Sequence, residues 1–203
     1  ARIEKNKDVN INSPFINTIK KYFNNNNNNY NNIDITGGID LTEFFKPKYS
    51  LHMKGEDIYT SSSYNLYNGS GNLDFYLTGK DTVIISGVFI PNPNEFIITS
   101  LGDKEVIDIS SYDQNNKVKF DIHVPFEDGI QVKTEYLNIL IDGDITLSKQ
   151  INEKIKYSGR VNIIDGRFYD NQGNMYDEIS GSVFMAPDDN SSFLDVHAIT
   201  IID

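Results

Sequence analysis

From Ile33 to the end of the chain, apolar residues recur at every second position. "VKFDIHV", 118–124, sets Val118, Phe120, Ile122 and Val124 against Lys119, Asp121 and His123. "LNILIDGDITL", 137–147, aligns Leu137, Ile139, Ile141, Gly143, Ile145 and Leu147. "IKYSGRVNI", 155–163, aligns Ile155, Tyr157, Gly159, Val161 and Ile163. "LDFYL", 73–77, "ISGSVFM", 179–185, and "LDVHAIT", 194–200, keep the same habit. Successive side chains of a strand point to opposite faces, so each segment reads as a strand with one apolar and one wet face. About a dozen such strands fit, joined by turns at "DNQGN", 170–174, and "NGSGN", 68–72. The chain is therefore expected to be all-β and mostly antiparallel.

The strands come in related pairs. Residues 33–55, 73–90 and 137–163 each read as an apolar strand through glycine, a loop and a second alternating strand. The unit spans roughly 40–60 residues, within the range of repeat architectures. One pair cannot bury its apolar face alone, whereas stacked pairs share a continuous one. "SGVFIPNPNEF", 86–96, and "SGRVNIIDGRF", 158–168, even share a frame, a glycine followed nine residues later by phenylalanine. Gly143, Gly159 and Gly181 sit in the apolar register, where a bulky side chain is expected. They read either as bends in a strongly curved sheet or as room for a neighbouring aromatic ring.

The 203 residues divide into an N-terminal segment, 1–32, and a repeat-built β domain, 33–203. In the first, "SPFINTIKKYF", 13–23, is a helix candidate: Ser13 caps, Pro14 suits the first helical position, and Phe15, Ile19, Tyr22 and Phe23 share a face. The asparagine run 24–29 reads as a loop. A formal net charge of −11 disfavours nucleic acid and anionic membrane surfaces as partners. The absence of cysteine excludes disulfides and thiolate chemistry, and is compatible with an oxidising compartment. A start at Ala1 reads as a piece cut from a longer protein, with any anchor outside the piece.

Little in the chain speaks for catalysis, a metal or a cofactor, and none is expected. His52, His123 and His197 fall on polar-face positions without a nucleophile phrase nearby. Asp142 and Asp144 flank Gly143 on the wet face, as two exposed acids often do in so acidic a chain. "DNQGNMYDE", 170–178, has calcium-loop spacing at Asp170, Gln172 and Asn174. It lacks glycine at the sixth position, and its glutamate comes early, so a turn is the better reading. Tyr49, Tyr59, Tyr64, Tyr67, Tyr76 and Tyr112 keep open a carbohydrate-binding β-sandwich with aromatic platforms, although tryptophan is absent. An adhesin-like structural β domain is a third reading.

The order and spacing of the later strands resemble a known family. "VPFEDGIQVKTEYLNILIDGDITL", "IKYSGRVNIIDGRFYDNQGNMYDEISGSVFM" and "SSFLDVHA" are similar to the C-terminal region of the TamB family. The pattern falls on Ile141 to Ile145, Gly159 to Ile163, Gly166 to Phe168, Ile179 to Phe184 and Leu194 to Ala198. It covers about residues 118–200, with 33–110 matching only as looser copies, and the asparagine run departs from it. The resemblance implies an elongated, strongly curved sheet, a β-taco or half-barrel with an apolar groove. It also implies a periplasmic fragment of a diderm protein anchored in the inner membrane outside this piece. The implied partners are phospholipid acyl chains, an outer-membrane barrel of TamA or BamA type, and unfolded outer-membrane protein strands.

If the sheet stays open, the residues expected to line its groove are Val118, Phe120, Ile122, Leu137 and Ile139, followed by Ile141, Ile155, Val161, Ile163 and Val183. The competing expectation is an ordinary core sealed by a second sheet.

Overall fold

The computed structural model describes residues 33–43, 46–61, 67–99, 117–187 and 192–200. The chain divides into a unit of residues 1–30 and a unit of residues 31–203. The helix expected at 13–23 lies outside the described residues, as does the asparagine run. The described part is built of strands alone. They are β1 (Ile33–Asp40), β2 (Lys48–Ser61), β3 (Tyr67–Gly79), β4 (Val83–Pro91), β5 (Ile97–Ile98) and β6 (Val118–Pro125). They continue with β7 (Ile130–Lys133), β8 (Leu137–Lys149), β9 (Lys156–Tyr169), β10 (Met175–Met185) and β11 (Phe193–Thr200).

All eleven strands belong to one sheet, in the order β1-β2-β3-β4-β6-β8-β9-β10-β11, with β5 and β7 bridging β3 to β8 beside the main path. Neighbours are antiparallel except β4 with β6 and β5 with β7. The sheet is strongly curved and does not close into a barrel. Among the described residues, β1 pairs only with β2 and β11 only with β10, so both edges stay open. One unclosed sheet is not the two-sheet sandwich of the carbohydrate-module reading.

The two middle strands are broken. On β3, Gly71 faces Pro91 and Asn68 faces Ile97, so residues 92–96 bulge out opposite Gly69 and Ser70 alone. On β8, Asp144 faces Pro125 and Ile141 faces Ile130, so residues 126–129 bulge out opposite Asp142 and Gly143. In effect β5 resumes β4, and β7 resumes β6, after an excursion. Proline closes the strand before each break, because it has no N–H to give to the ladder.

"NGSGN", 68–72, is not the turn its composition predicts but lies inside β3. The small residues make room there. A Cβ on Gly71 would fall 2.6 Å from the Phe89 ring, and one on Gly69 would fall 2.4 Å from the backbone of Phe96. "DNQGN" does form a turn, between β9 and β10. The shared phrase of Gly87 and Gly159 also splits in the fold: both glycines adopt positive φ, but Phe96 is buried and Phe168 is 38% exposed.

Gly143 and Gly159 lie on adjacent strands and mirror each other. Their φ angles are +132° and +140°. A Cβ on Gly143 would stand 2.1 Å from the carbonyl oxygen of Arg160, and one on Gly159 would stand 2.2 Å from that of Asp144. No L side chain fits either place, and the backbone of the neighbouring strand takes the space that a side chain would fill. Gly159→Ala is expected to cost about 1–3 kcal/mol, the typical cost of a strained backbone region, before any steric shift is added. Urea denaturation reads this as a lower midpoint at unchanged slope. An unchanged midpoint would refute the role of this pair.

Candidate functional site

Residues opposed across neighbouring strands share a face. Following the pairings, Ile35, Met53, Phe75, Gly87, Ile122 and Leu147 form one row across the inner face. Gly143, Val161, Val183 and Leu194 form another, nearer the far end. The outer face runs Thr36, His52, Tyr76, Ser86, Asp121 and Ser148. Alternation along each strand thus becomes an apolar wall on one side and a mostly polar one on the other, with Ile84, Ile90, Leu140, Phe184 and Phe193 among the exposed apolar exceptions.

The structure places the expected lining in two environments. Val118, Phe120 and Ile122, on β6, are half-buried. Ile139, Ile141 and Val161 are 7%, 6% and 7% exposed and belong to a packed cluster with Phe96, Phe126, Ile130, Val132 and Ile179. Leu137, Ile163 and Val183 pack against that cluster and keep part of their surface. Ile155 is half-buried and sits just ahead of β9 rather than in it. Gly181 adopts φ +153°, with the site of a Cβ only 2.1 Å from the Asp195 carbonyl.

The expected lining left out several members of this wall. On β2 and β3, Leu51, Met53, Leu73 and Leu77 are buried, and Ile58 returns to the inner face after a bulge at Glu56 and Asp57. Phe96 and Phe126 are also inside, although both lie in loop-like phrases rich in proline, asparagine or acid. Lys149 occupies an inner position opposite Phe120 and is buried. At the two edges the inner wall is uncovered: Ile35 is 40% exposed, Leu194 69% and Val196 39%.

The polar candidates do not converge. His52 stacks on Tyr76 with centroids 4.4 Å apart, and its Nε2 lies 2.7 Å from Asp74 Oδ1. His123 lies 3.3 Å from Thr146 Oγ1, and His197 3.3 Å from Asp195. These three sites occupy separate strands of the outer face. Asp142 accepts a hydrogen bond of 2.7 Å from Asn162. Among the described residues no group of three or more histidine or acidic side chains is placed to hold a metal ion. The tyrosines form no shared platform: Tyr67 is inside against Phe96, Tyr76 and Tyr59 are outside, and Tyr49 takes an inner position. Tyr64 and Tyr112 lie outside the described residues.

An unclosed sheet with a wet outer wall and an apolar inner one defines a half-barrel trough. The TamB C-terminal domain family matches residues 21–202, almost the whole chain, and the chain belongs to that family. The family is a transport and assembly module associated with the bacterial envelope and outer-membrane biogenesis. A comparison with curated proteins gives no match.

The calcium-like phrase resolves into a self-capped turn. Asp170 Oδ2 accepts from the Asn174 side chain at 2.7 Å, and Oδ1 accepts from the backbone N–H groups of Asn174 and Gln172 at 2.9 and 2.8 Å. These bonds, those from Asn174 first, hold the carboxyl below the ordinary carboxylate range. A carboxyl depressed in the folded state stabilises the fold above its unfolded pKa, near about 3.9, and loses that contribution as pH falls through the folded value. Asp170→Asn is therefore expected to melt below the parent at pH 6, with the gap narrowing as pH drops below about 4. Thermal melts across this range check it, and a gap that stays constant with pH would count against the charge-specific cap.

Proposed function

We propose that this domain shields hydrocarbon in the periplasm of a diderm bacterium, with phospholipid acyl chains lying along the inner wall of the curved sheet. The observation that carries the reading is an apolar wall that no second sheet covers among the described residues. Phe120, Ile122 and Leu147 are half-buried there, and Ile35, Leu194 and Val196 are exposed at the edges. Water is a poor solvent for such a surface, and contiguous apolar exposure marks an interaction site.

The energetics favour a wall over a tight pocket. Transferring a chain of about 15 methylenes from water to an apolar surface is worth on the order of 12 kcal/mol. A wall of Val, Ile, Leu and Phe replaces most of what the bilayer interior supplies, so a lipid enters and leaves at little net cost. Side-chain chemistry is not required for such a task, and apart from Lys149 the polar groups described above stay on the outer face. The parent protein would be anchored in the inner membrane and reach toward an outer-membrane barrel of TamA or BamA type.

The open edge of β11 favours a second reading, in which the cargo is a protein strand. Residues 193–199 are all exposed, and one side of β11 has no strand partner among the described residues. An unpaired edge offers N–H and C=O groups to a further strand, including one from an unfolded outer-membrane protein or from the barrel itself.

The test separates these cargoes. Native mass spectrometry of the purified domain is expected to show co-purified phospholipid. Ile122→Glu is expected to remove it, because a carboxylate against the chain leaves a buried charge unpaired. Ile122 is preferred to Ile139, where a glutamate would strike the packed cluster and unfold the domain. Full lipid retention in a folded Ile122→Glu protein would sink the lipid reading. Loss of client-strand capture on adding proline to β11, with lipid unchanged, would favour the second.

A further inference from the structure

β11 is an edge strand without the usual guards. It holds no lysine and no proline. The irregularity in its ladder lies on β10, where Glu178 and Ile179 stand opposite Ala198 alone, so β11 itself runs unbroken. Among the described residues its far side has no strand partner. An edge left in this state pairs readily with a further strand. Its apolar side chains stand clear of the sheet: Leu194 is 69% exposed, Phe193 57% and Ile199 56%. Phe193 and Ile199 lie near the two ends of β11 on the outer, mostly polar face. Phe193 stacks on Phe184 of β10 with centroids 5.5 Å apart, yet more than half of its surface stays open.

The sequence of β11, "FLDVHAIT", is complementary to itself in reverse. Two copies of one strand pair antiparallel about a two-fold axis normal to the sheet, which sets inner residues against inner and outer against outer. With the axis at Val196, Asp195 of each copy faces His197 of the other, Leu194 faces Ala198, and Phe193 faces Ile199. An imidazole then meets a carboxylate twice on the outer face, apolar pairs close the inner face, and Phe193 and Ile199 cover one another. Moving the axis by one residue loses the match. At Asp195 two carboxylates meet, and at His197 each Asp195 faces Ile199. Directly opposed residues are the unit of sheet stabilisation, and like charges placed opposite one another are unfavourable. The Asp195 and His197 side chains are 68% and 79% exposed and lie 3.3 Å apart within one copy, so both are at the surface where a second copy would meet them. The other edge offers no such match, because β1, "IDITGGID", carries two acids and no base.

We infer that β11 is a seam between two copies of this chain, joined edge to edge about Val196 into one continuous sheet with both apolar faces on the same side. The inference rests on neither cargo reading, although a client strand would claim the same edge. A seam of one strand is smaller than a standard protein interface. Each copy also carries a net charge of −11, whose repulsion is screened beyond about 8 Å at physiological salt. The dimer is therefore expected to exchange with monomer and to dissociate on dilution.

Sedimentation of the full chain at physiological salt is expected to show monomer passing to dimer as concentration rises. Asp195→Lys sets an ammonium against His197, and His197→Glu sets a carboxylate against Asp195. Each alone is expected to raise the dimer Kd about tenfold, while circular dichroism keeps the strand signal because both sites are exposed. An equimolar mixture of the two is expected to return to the parent Kd, since the new ammonium then faces the new carboxylate and His197 of one copy faces Asp195 of the other. The chain has no cysteine, so single cysteines report the register. Val196→Cys is expected to give a disulfide-linked dimer under oxidised glutathione, because the axis brings its two thiols within bonding reach. Ala198→Cys is expected to stay unlinked, its two copies standing about 14 Å apart along the seam. A parent that stays monomeric at its highest soluble concentration overturns the seam. So do a dimer that both charge variants leave unchanged, a mixture that stays as weak as its components, and linkage at 198 without linkage at 196. Client-strand capture by a monomeric parent, lost on adding proline to β11, overturns the seam and gives the edge to the strand-cargo reading.

Discussion

A carbonyl oxygen of one strand sits where the Cβ of its neighbour would be. This contact occurs at Gly143 against Arg160, at Gly159 against Asp144 and at Gly181 against Asp195, and no residue with a side chain could keep it. A sheet whose residues all carry side chains keeps its strands at ordinary spacing and twist. Leaving out the Cβ at these inner positions lets adjacent backbones close in, and glycine is the residue at which a sheet bends most readily. Curvature in turn decides how much of that face is buried without a second sheet.

The bent sheet covers its inner face unevenly. Around Phe96 and Phe126 the side chains of β7, β8, β9 and β10 pack to a few per cent exposure. Burying each large apolar side chain contributes about 1.5–3 kcal/mol, so this cluster is a main source of stability for a domain without disulfides. On β2 and β3 the wall is sealed too, at Leu51, Met53, Ile58, Leu73 and Leu77, whereas Phe75, Ile122 and Leu147 are half-buried and Ile35, Leu194 and Val196 on β1 and β11 are exposed. Stability and exposure are thus divided along the length of the same strands.

The outer wall shows the complementary economy. Its polar groups pair locally: His52 with Asp74, Asn162 with Asp142, Arg167 with Asp177 at 3.0 Å. Pairs this exposed contribute little to stability. Their effect is to keep the convex surface wet while the concave one stays apolar, and the net charge of −11 keeps such a chain soluble.

The strands and their faces were legible in the residue order, because a period of two is a local property that each segment carries by itself. Val118 to Val124 and Leu137 to Leu147 needed no partner to be read as strands with one apolar side. The glycines at 143, 159 and 181 stood out for the same reason, as gaps in a local pattern. The inward breaks at Phe96 and Phe126 were not legible. Their phrases, "PNPNEF" and "PFEDG", have loop composition, and only the pairing of β3 and β8 across the sheet turns those loops inward. "NGSGN" misled for a related reason: glycine and asparagine favour turns locally, yet at Gly69 and Gly71 a neighbouring loop and ring take the place of the missing side chains. Sequence determined which face of each strand is apolar. Tertiary structure decided which part of that face is sealed and which stays open, because burial depends on what crosses over a residue, and those neighbours are distant in the chain.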